Sequence, residues 1–322
     1  MSRILVTGGA GYIGSVCSAR LLQNGHSVVV VDDLSTGFRD AVPDGACFHC
    51  VDIGDRIAIR EILNEYRPDG VFHFAAKSLI GESVSAPGFY FEQNVASGIL
   101  LLEELRRANV RKFIFSSSAA VYGTTECAQI LEDHRAAPVN PYGETKLMFE
   151  RILTYYAHTY GWTVGVLRYF NACGAWKTWG ERHDPETHII PLLLRAAAGK
   201  IKGFKIYGND YPTPDGTCLR DYVHVLDIAD AHILLAQAMV DPGISIYNIG
   251  TGKSYSVKEV VELAESVTGK RISVIVSARR AGDPAVLCAN PQKLARMLGW
   301  TPHHSNLRDI VGSAWEFQQN GG

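Results

Sequence analysis

The chain predicts an α/β fold on a doubly wound parallel sheet, with a smaller C-terminal domain. Two observations carry the prediction: short apolar runs alternate with amphipathic stretches through the first half, and a glycine-spaced turn follows the first of those runs. Ile4-Leu5-Val6 lead into Thr7-Gly8-Gly9-Ala10-Gly11-Tyr12-Ile13-Gly14. A strand that turns there into a helix offers N-terminal amides and a positive dipole end to a pyrophosphate. The helical stretch runs from Tyr12 to Asn24, Gly25-His26 turn the chain, and Ser27-Val28-Val29-Val30-Val31 end in Asp32. This is one β-α-β unit of Rossmann type in about thirty residues. Asp32 stands where a carboxylate meets the adenosine ribose hydroxyls and repels a 2′-phosphate, so the expected cofactor is NAD rather than NADP.

Further apolar runs lie at Val71 to Phe74, Phe113 to Phe115 and Val164 to Leu167, separated by amphipathic stretches such as Ile57 to Tyr66 and Asn94 to Ala108. From about Arg168 the texture changes to longer loops (172–185 and 208–216), helices near 188–198 and 256–267, and short strand candidates. The expected division is an NAD-binding Rossmann domain over residues 1–167 and a substrate-binding domain over 168–322, with the chain free to cross back.

A chain of 322 residues, 47% hydrophobic and 20% charged, can bury a sizeable core. A formal net charge of -2 argues against nucleic acid or an anionic membrane as partner. No charged-then-apolar leader opens the chain, and no run approaches the roughly 18 apolar residues of a membrane span, so the expected location is cytoplasmic. Seven cysteines, an odd number over a long chain, fit reduced buried thiols. Cys47 and Cys50 form a C-x-x-C, but inside what reads as an apolar strand and with no second pair nearby. No metal site is expected.

Asn140 suits a helix N-cap and Pro141 the first helical position, which puts Tyr142 in the first turn and Lys146 four residues on, on the same face. Lowering a phenol from near 10 to about 7 requires roughly 4 kcal/mol of phenolate stabilisation, and an ammonium plus a helix N-terminus are the expected sources. The run Phe113-Ile114-Phe115 ends in Ser116-Ser117-Ser118 at the carboxyl edge of the sheet, where a hydroxyl can hold the reacting oxygen beside Tyr142.

These stretches, with His73-Phe74-Ala75-Ala76, Phe115 to Gly123, Pro141 to Lys146, Leu167 to Asn171, Gly216 to Val225, Arg280-Ala281-Gly282-Asp283 and Leu298-Gly299-Trp300, resemble the extended short-chain dehydrogenase/reductase superfamily. Within it, the likeness runs nearly end to end with the UDP-hexose 4-epimerase branch. The resemblance implies that Tyr142 is the base at the sugar 4-hydroxyl, that Lys146 holds the nicotinamide ribose and depresses the tyrosine pKa, and that Ser118 shares the bond to that hydroxyl. It implies an NAD site lined by Gly8, Gly11, Tyr12, Ile13 and Gly14, by Asp32, Asp33, Asp52 and Ile53, and by Phe74, Ala75, Ala76, Asn94, Ser116 and Tyr169. For a UDP-sugar it implies Asn171, Arg220 and Arg280 at the diphosphate, Tyr207 on uracil, Asp283 on the uridine ribose, and Leu287 bounding the sugar. Read without the resemblance, Tyr207 is equally a core aromatic.

Two departures stand out. The family lysine that contacts the cofactor pyrophosphate aligns with Ser78, while Lys77 precedes it by one residue. Leu287 is intermediate in bulk where side-chain size governs acceptance of an N-acetyl group. The resemblance also implies a homodimer through the helices near 94–108 and 142–160. The expected reaction inverts C4 of a UDP-hexose through a transient 4-keto sugar. Epimerases of UDP-pentoses, UDP-uronates or UDP-N-acetylhexosamines, and net NAD-dependent dehydrogenases, share the same triad. A 4,6-dehydratase needs an Asp-Glu pair where Ala119-Ala120 stand, and a non-catalytic NAD sensor commonly lacks the tyrosine or lysine.

Overall fold

A computed structural model describes every residue except Glu126, Ala281 and Gly322, so Ala281 of the Arg280 to Asp283 stretch lies outside the described residues. The chain forms two compact units: residues 1–121, 136–168 and 229–247 make the first, and residues 122–135, 169–228 and 248–322 the second.

In the first unit β1 (Arg3–Thr7), α1 (Tyr12–Gln23) and β2 (Ser27–Asp32) form the expected β-α-β unit, followed by β3 (Cys47–Cys50), α2 (Arg56–Tyr66) and β4 (Gly70–His73). Short helices α3 (Ile80–Ser85) and α4 (Pro87–Phe91) pass through a π-helical turn at Glu92–Ala96 into α5 (Ser97–Arg107). The stretch read as one helix from Asn94 therefore begins in that wider turn. Next come β5 (Lys112–Ser118), α6 (Pro141–Tyr160) and β6 (Thr163–Tyr169).

The chain continues through β7 (Asn171–Cys173), α7 (Ile189–Ala197), β8 (Phe204–Tyr207) and β9 (Leu219–His224), then crosses back through α8 (Val225–Ala238) and β10 (Gly243–Ile249). It closes with β11 (Ser254–Ser256), α9 (Val257–Thr268), β12 (Val274–Ser277), β13 (Val286–Leu287), α10 (Gln292–Leu298) and α11 (Leu307–Gln319).

The main sheet has the order β10-β6-β5-β4-β1-β2-β3, with β1 parallel to both β2 and β4. The winding reverses between β1 and β4, and ligands of doubly wound sheets sit beyond the carboxyl ends of the strands at such a reversal. Strands buried on both faces explain the unbroken valine run of β2, where Val28, Val29, Val30 and Val31 are all buried. One core joins Leu5, Val29, Val71, Phe113, Phe115, Phe149 and Trp162. The second unit has its own core around Leu193, Leu194, Tyr222, Val260 and Ile310. Its β9 is flanked by β11 and β13 and also pairs with β7.

Of the seven cysteines, Cys17, Cys173, Cys218 and Cys288 are buried as expected, but Cys47, Cys50 and Cys127 are exposed, and all seven are free thiols. The reason for two of these is position: β3 is the edge strand of the sheet. Residues three apart on a strand point to opposite faces, so Cys47 and Cys50 cannot close on one metal ion. Among the described residues no helix is long and apolar enough to cross a membrane.

Candidate active site

The glycine turn is built by close approach. A Cβ at Gly14 would lie 2.1 Å from the Gly8 carbonyl oxygen, and one at Gly8, whose φ is +72°, would lie 2.4 Å from the Ala75 amide nitrogen. Gly11 caps α1 without a side chain, and no acid lies in the first turn, so no side chain competes for the amides there. Tyr12 and Ile13 are half-buried at the start of that helix. Bare backbone ahead of an uncapped helix fits a dinucleotide pyrophosphate.

At the end of β2 the Asp32 carboxylate is 8% exposed and accepts from the Ala10 amide at 3.0 Å and the Leu34 amide at 2.9 Å. Burial raises its pKa, while those two amide bonds oppose the rise. Asp33 and Asp52 accept from the amides of Ser35 and Gly54 in their own loops, and Ile53 is buried. Phe74 and Ala75 leave β4 with their amides donating to the Thr7 carbonyl, and Ala76 follows half-buried. Lys77 donates from Nζ to Ser35 Oγ at 2.6 Å, so this lysine, not Ser78, reaches the loop that follows Asp32. Asn94 clamps the Lys77 backbone: its Oδ1 accepts from Lys77 N at 2.8 Å and its Nδ2 donates to Lys77 O at 2.9 Å and to Thr145 Oγ1 at 3.1 Å. Its polar atoms are thus committed to shaping the site wall.

The helix that carries Tyr142 and Lys146 starts as the sequence predicts. Asn140 Oδ1 accepts from Gly143 N at 2.8 Å and Pro141 begins α6. Gly143 also permits a contact that the sequence does not reveal, because a Cβ there would lie 2.5 Å from the Ala120 carbonyl oxygen. That approach brings Tyr142 to the end of β5, beside Ser118, whose Oγ accepts from the Ala120 amide at 3.1 Å. Lys146 is 4% exposed and donates to the Ser116 carbonyl at 2.8 Å. Its Nζ lies 4.9 Å above the Phe115 ring and 5.8 Å from the centre of the Tyr142 ring.

Here the electrostatics depart from the sequence expectation. Burial pushes the Tyr142 phenol up, opposed by the neighbouring Ser118 hydroxyl. Burial also takes Lys146 down to about 7, against the pull of Glu150. Burial biases both groups toward their uncharged forms, and the ammonium, turned to the Ser116 carbonyl, does not offset this at the phenol.

Glu150, one turn beyond Lys146, is held by Arg168 at 2.6 and 3.0 Å and by Ser117 Oγ at 2.6 Å. His73 bonds to Thr7 Oγ1 at 2.7 Å, and burial takes it down to about 3, assisted by Lys146. It is therefore a neutral core histidine. Thr145, Glu150, Arg168 and His73 are supporting residues whose roles depend on partners far along the chain, so the local sequence does not reveal them.

In the second unit the residues expected at a nucleotide lie on β9 and its neighbours and at the end of β8. Arg220 donates from one nitrogen to the Leu219 and Pro284 carbonyls, both at 2.9 Å, and approaches Asp283 at 3.6 Å with another. Leu287 is the register partner of Arg220 across β13 and β9. The Arg280 guanidinium lies 3.9 Å over the Tyr207 ring, and Tyr207 is half-buried rather than a core aromatic. Asn171 donates to the Asp221 carbonyl at 2.8 Å, and Tyr169 is buried at 6%. Two guanidinium forks, an amide and a half-exposed aromatic suit a pyrimidine nucleoside diphosphate.

A Rossmann sheet with a tyrosine and a lysine one turn apart at the start of a helix defines a dinucleotide-dependent enzyme. The chain belongs to the NAD dependent epimerase/dehydratase family, which matches residues 4–250. The UDP-glucose 4-epimerase of Corynebacterium glutamicum is 47% identical over 315 residues, spanning 98% of this chain and 95% of that protein. A crystal structure of UDP-glucose 4-epimerase from Brucella ovis in complex with NAD superposes with a TM-score of 0.94 at 43% identity, over 98% of each chain. That from Bifidobacterium longum in complex with NAD+ and UDP gives a TM-score of 0.94 at 35% identity, over 99% of each chain.

Proposed function

We propose that this enzyme inverts C4 of a UDP-hexose, interconverting UDP-galactose and UDP-glucose with NAD as cofactor. The observation that carries the reading is the close approach of Gly143 to Ala120, which sets Tyr142 beside Ser118 at the end of β5, with Lys146 one turn along the same helix. The near full-length likeness to UDP-glucose 4-epimerases supports the choice of substrate.

Tyr142 Oη takes the proton of the sugar 4-hydroxyl and later returns it, while Ser118 Oγ orients that hydroxyl. When bound, NAD⁺ supplies the acceptor, and then the donor, of the hydride at C4. The Gly8 to Gly14 turn receives the pyrophosphate and Asp32 the adenosine ribose. Arg220, Arg280 and Asn171 hold the substrate diphosphate, Tyr207 faces the uracil and Asp283 the uridine ribose. Recognition resting on the nucleotide leaves the 4-keto sugar free to turn and to take hydride on its other face. No net oxidant is consumed.

The purified chain, incubated with UDP-galactose and no added cofactor, is expected to yield UDP-glucose. An oxidised or dehydrated product overturns the reading. We further propose a cytoplasmic homodimer. Four buried free thiols support a reducing compartment, and Leu100, Tyr155 and Tyr160 leave apolar surface exposed on α5 and α6. Light scattering that returns a monomer mass removes the dimer.

A further inference from the structure

The second unit carries a polar cluster that the proposed reaction does not use. Between β7 and α7 the chain reads Glu181-Arg182-His183-Asp184-Pro185-Glu186-Thr187-His188, spacing two carboxylates and two imidazoles as E-x-H-x-x-E-x-H. One donor atom from each of Glu181, His183, Glu186 and His188 lies within 4.8 Å of all the others. The Glu181 and Glu186 side chains are only 6% and 1% exposed, whereas His188 is 49% exposed and opens the cluster to solvent.

Hydrogen bonding inside the loop leaves one carboxylate oxygen of this set unmatched. The Nδ1 atoms of His183, at 2.8 Å, and of His188 both meet the same oxygen, Glu181 Oε1. Glu186 Oε1 accepts from the amides of Thr187 at 2.7 Å and His188 at 2.8 Å. Its other oxygen, Oε2, is buried with no hydrogen-bond partner among the described residues. A buried carboxylate oxygen without a donor, beside a second buried carboxylate, is costly unless a cation meets it.

We propose that Glu181, His183, Glu186 and His188 form a binding site for a divalent transition-metal ion, with zinc(II) the best match. Two imidazole nitrogens and two carboxylate oxygens are the donors that zinc takes in four-coordinate sites, at about 2.0–2.2 Å each. Donors on opposite sides of such an ion are about 4 Å apart or less, so the cluster needs only a small contraction. Magnesium and calcium prefer oxygen alone, which this set does not offer. The ion clips the loop in place ahead of α7. It takes no part in hydride or proton transfer.

The test is equilibrium dialysis of the untagged full-length chain against zinc, counted by elemental analysis, with cobalt(II) as a spectroscopic probe. Because Cys47, Cys50 and Cys127 are exposed thiols, the parent protein is the Cys47→Ser, Cys50→Ser, Cys127→Ser variant. One zinc per chain is expected, with a cobalt visible spectrum of tetrahedral nitrogen and oxygen ligation. Glu186→Gln and His183→Ala are each expected to weaken binding by ten-fold or more, with the far-ultraviolet circular dichroism unchanged. Zinc should also raise the melting temperature of the parent and not of Glu186→Gln. Absence of bound zinc in the parent, or full retention by both substituted proteins, overturns the proposal.

Discussion

Replacing Lys146 by Met should stabilise the protein while abolishing turnover. Burial takes the ammonium from its ordinary 10.5 down to about 7. At roughly 1.4 kcal/mol for each tenfold change in proton affinity, keeping it charged below neutrality costs the fold about 5 kcal/mol. Met removes that cost, fills a similar volume and loses one hydrogen bond to the Ser116 carbonyl, worth about 1 kcal/mol with a further 1–3 kcal/mol for the carbonyl left unpaired. A net gain of about 2 kcal/mol follows at pH 6. The pH dependence fixes the cause. The folded pKa lies below the unfolded one, so the unfolded chain binds the extra proton between about pH 7 and 10.5 and wild-type stability recovers as pH rises through that window. Urea unfolding of both proteins from pH 6 to 10 should therefore show the advantage of Lys146→Met at the acid end shrinking toward the alkaline end. A variant less stable than wild type at pH 6, or a difference that does not change with pH, refutes the reasoning.

Tyr142→Phe should keep NAD on the purified protein and lose on the order of 10²–10⁴-fold in kcat, as expected for removal of a general base; steady-state assay with UDP-galactose checks it. Gly14→Ala places a methyl group 2.1 Å from the Gly8 carbonyl oxygen, so the turn must open and the protein should purify without NAD, read from its ultraviolet spectrum. Glu150→Gln breaks a buried pair whose side chains are 4–5% exposed and should destabilise the first unit by about 3–5 kcal/mol, measured as a fall in the urea midpoint.

What the sequence revealed is what short range controls. Asn140 and Pro141 declare the start of α6 because capping is decided within four residues, and Asp32 is legible because a β-α-β unit has a fixed length. The supports are invisible for the opposite reason. Glu150 meets Arg168 only once α6 and β6 are packed, and Asn94 reaches Thr145 only across two helices. Gly143 reads as an ordinary helix residue until Ala120 is brought against it. The exposure of Cys47 and Cys50 follows from β3 lying at the sheet edge, a matter of strand order rather than local pattern. The Glu181 to His188 spacing was present throughout, but convergence of its four side chains depends on how the loop folds.

The largest departure concerns charge, and it changes where the reactivity of Tyr142 resides. A pre-ionised phenolate requires a cation turned to the phenolic oxygen, yet Lys146 is hydrogen-bonded to the Ser116 carbonyl and burial disfavours ionisation of both side chains. The fold therefore stores position rather than charge: the Gly143 contact places the phenol beside Ser118, and on the proposed mechanism ionisation waits on the ligands that complete the site. With cofactor stripped, the absorbance difference between wild type and Tyr142→Phe should show no phenolate step between pH 6 and 9. A step centred near pH 7 in that cofactor-free protein would mean that Lys146 and the α6 N-terminus ionise the tyrosine unaided, and the positional account would fail.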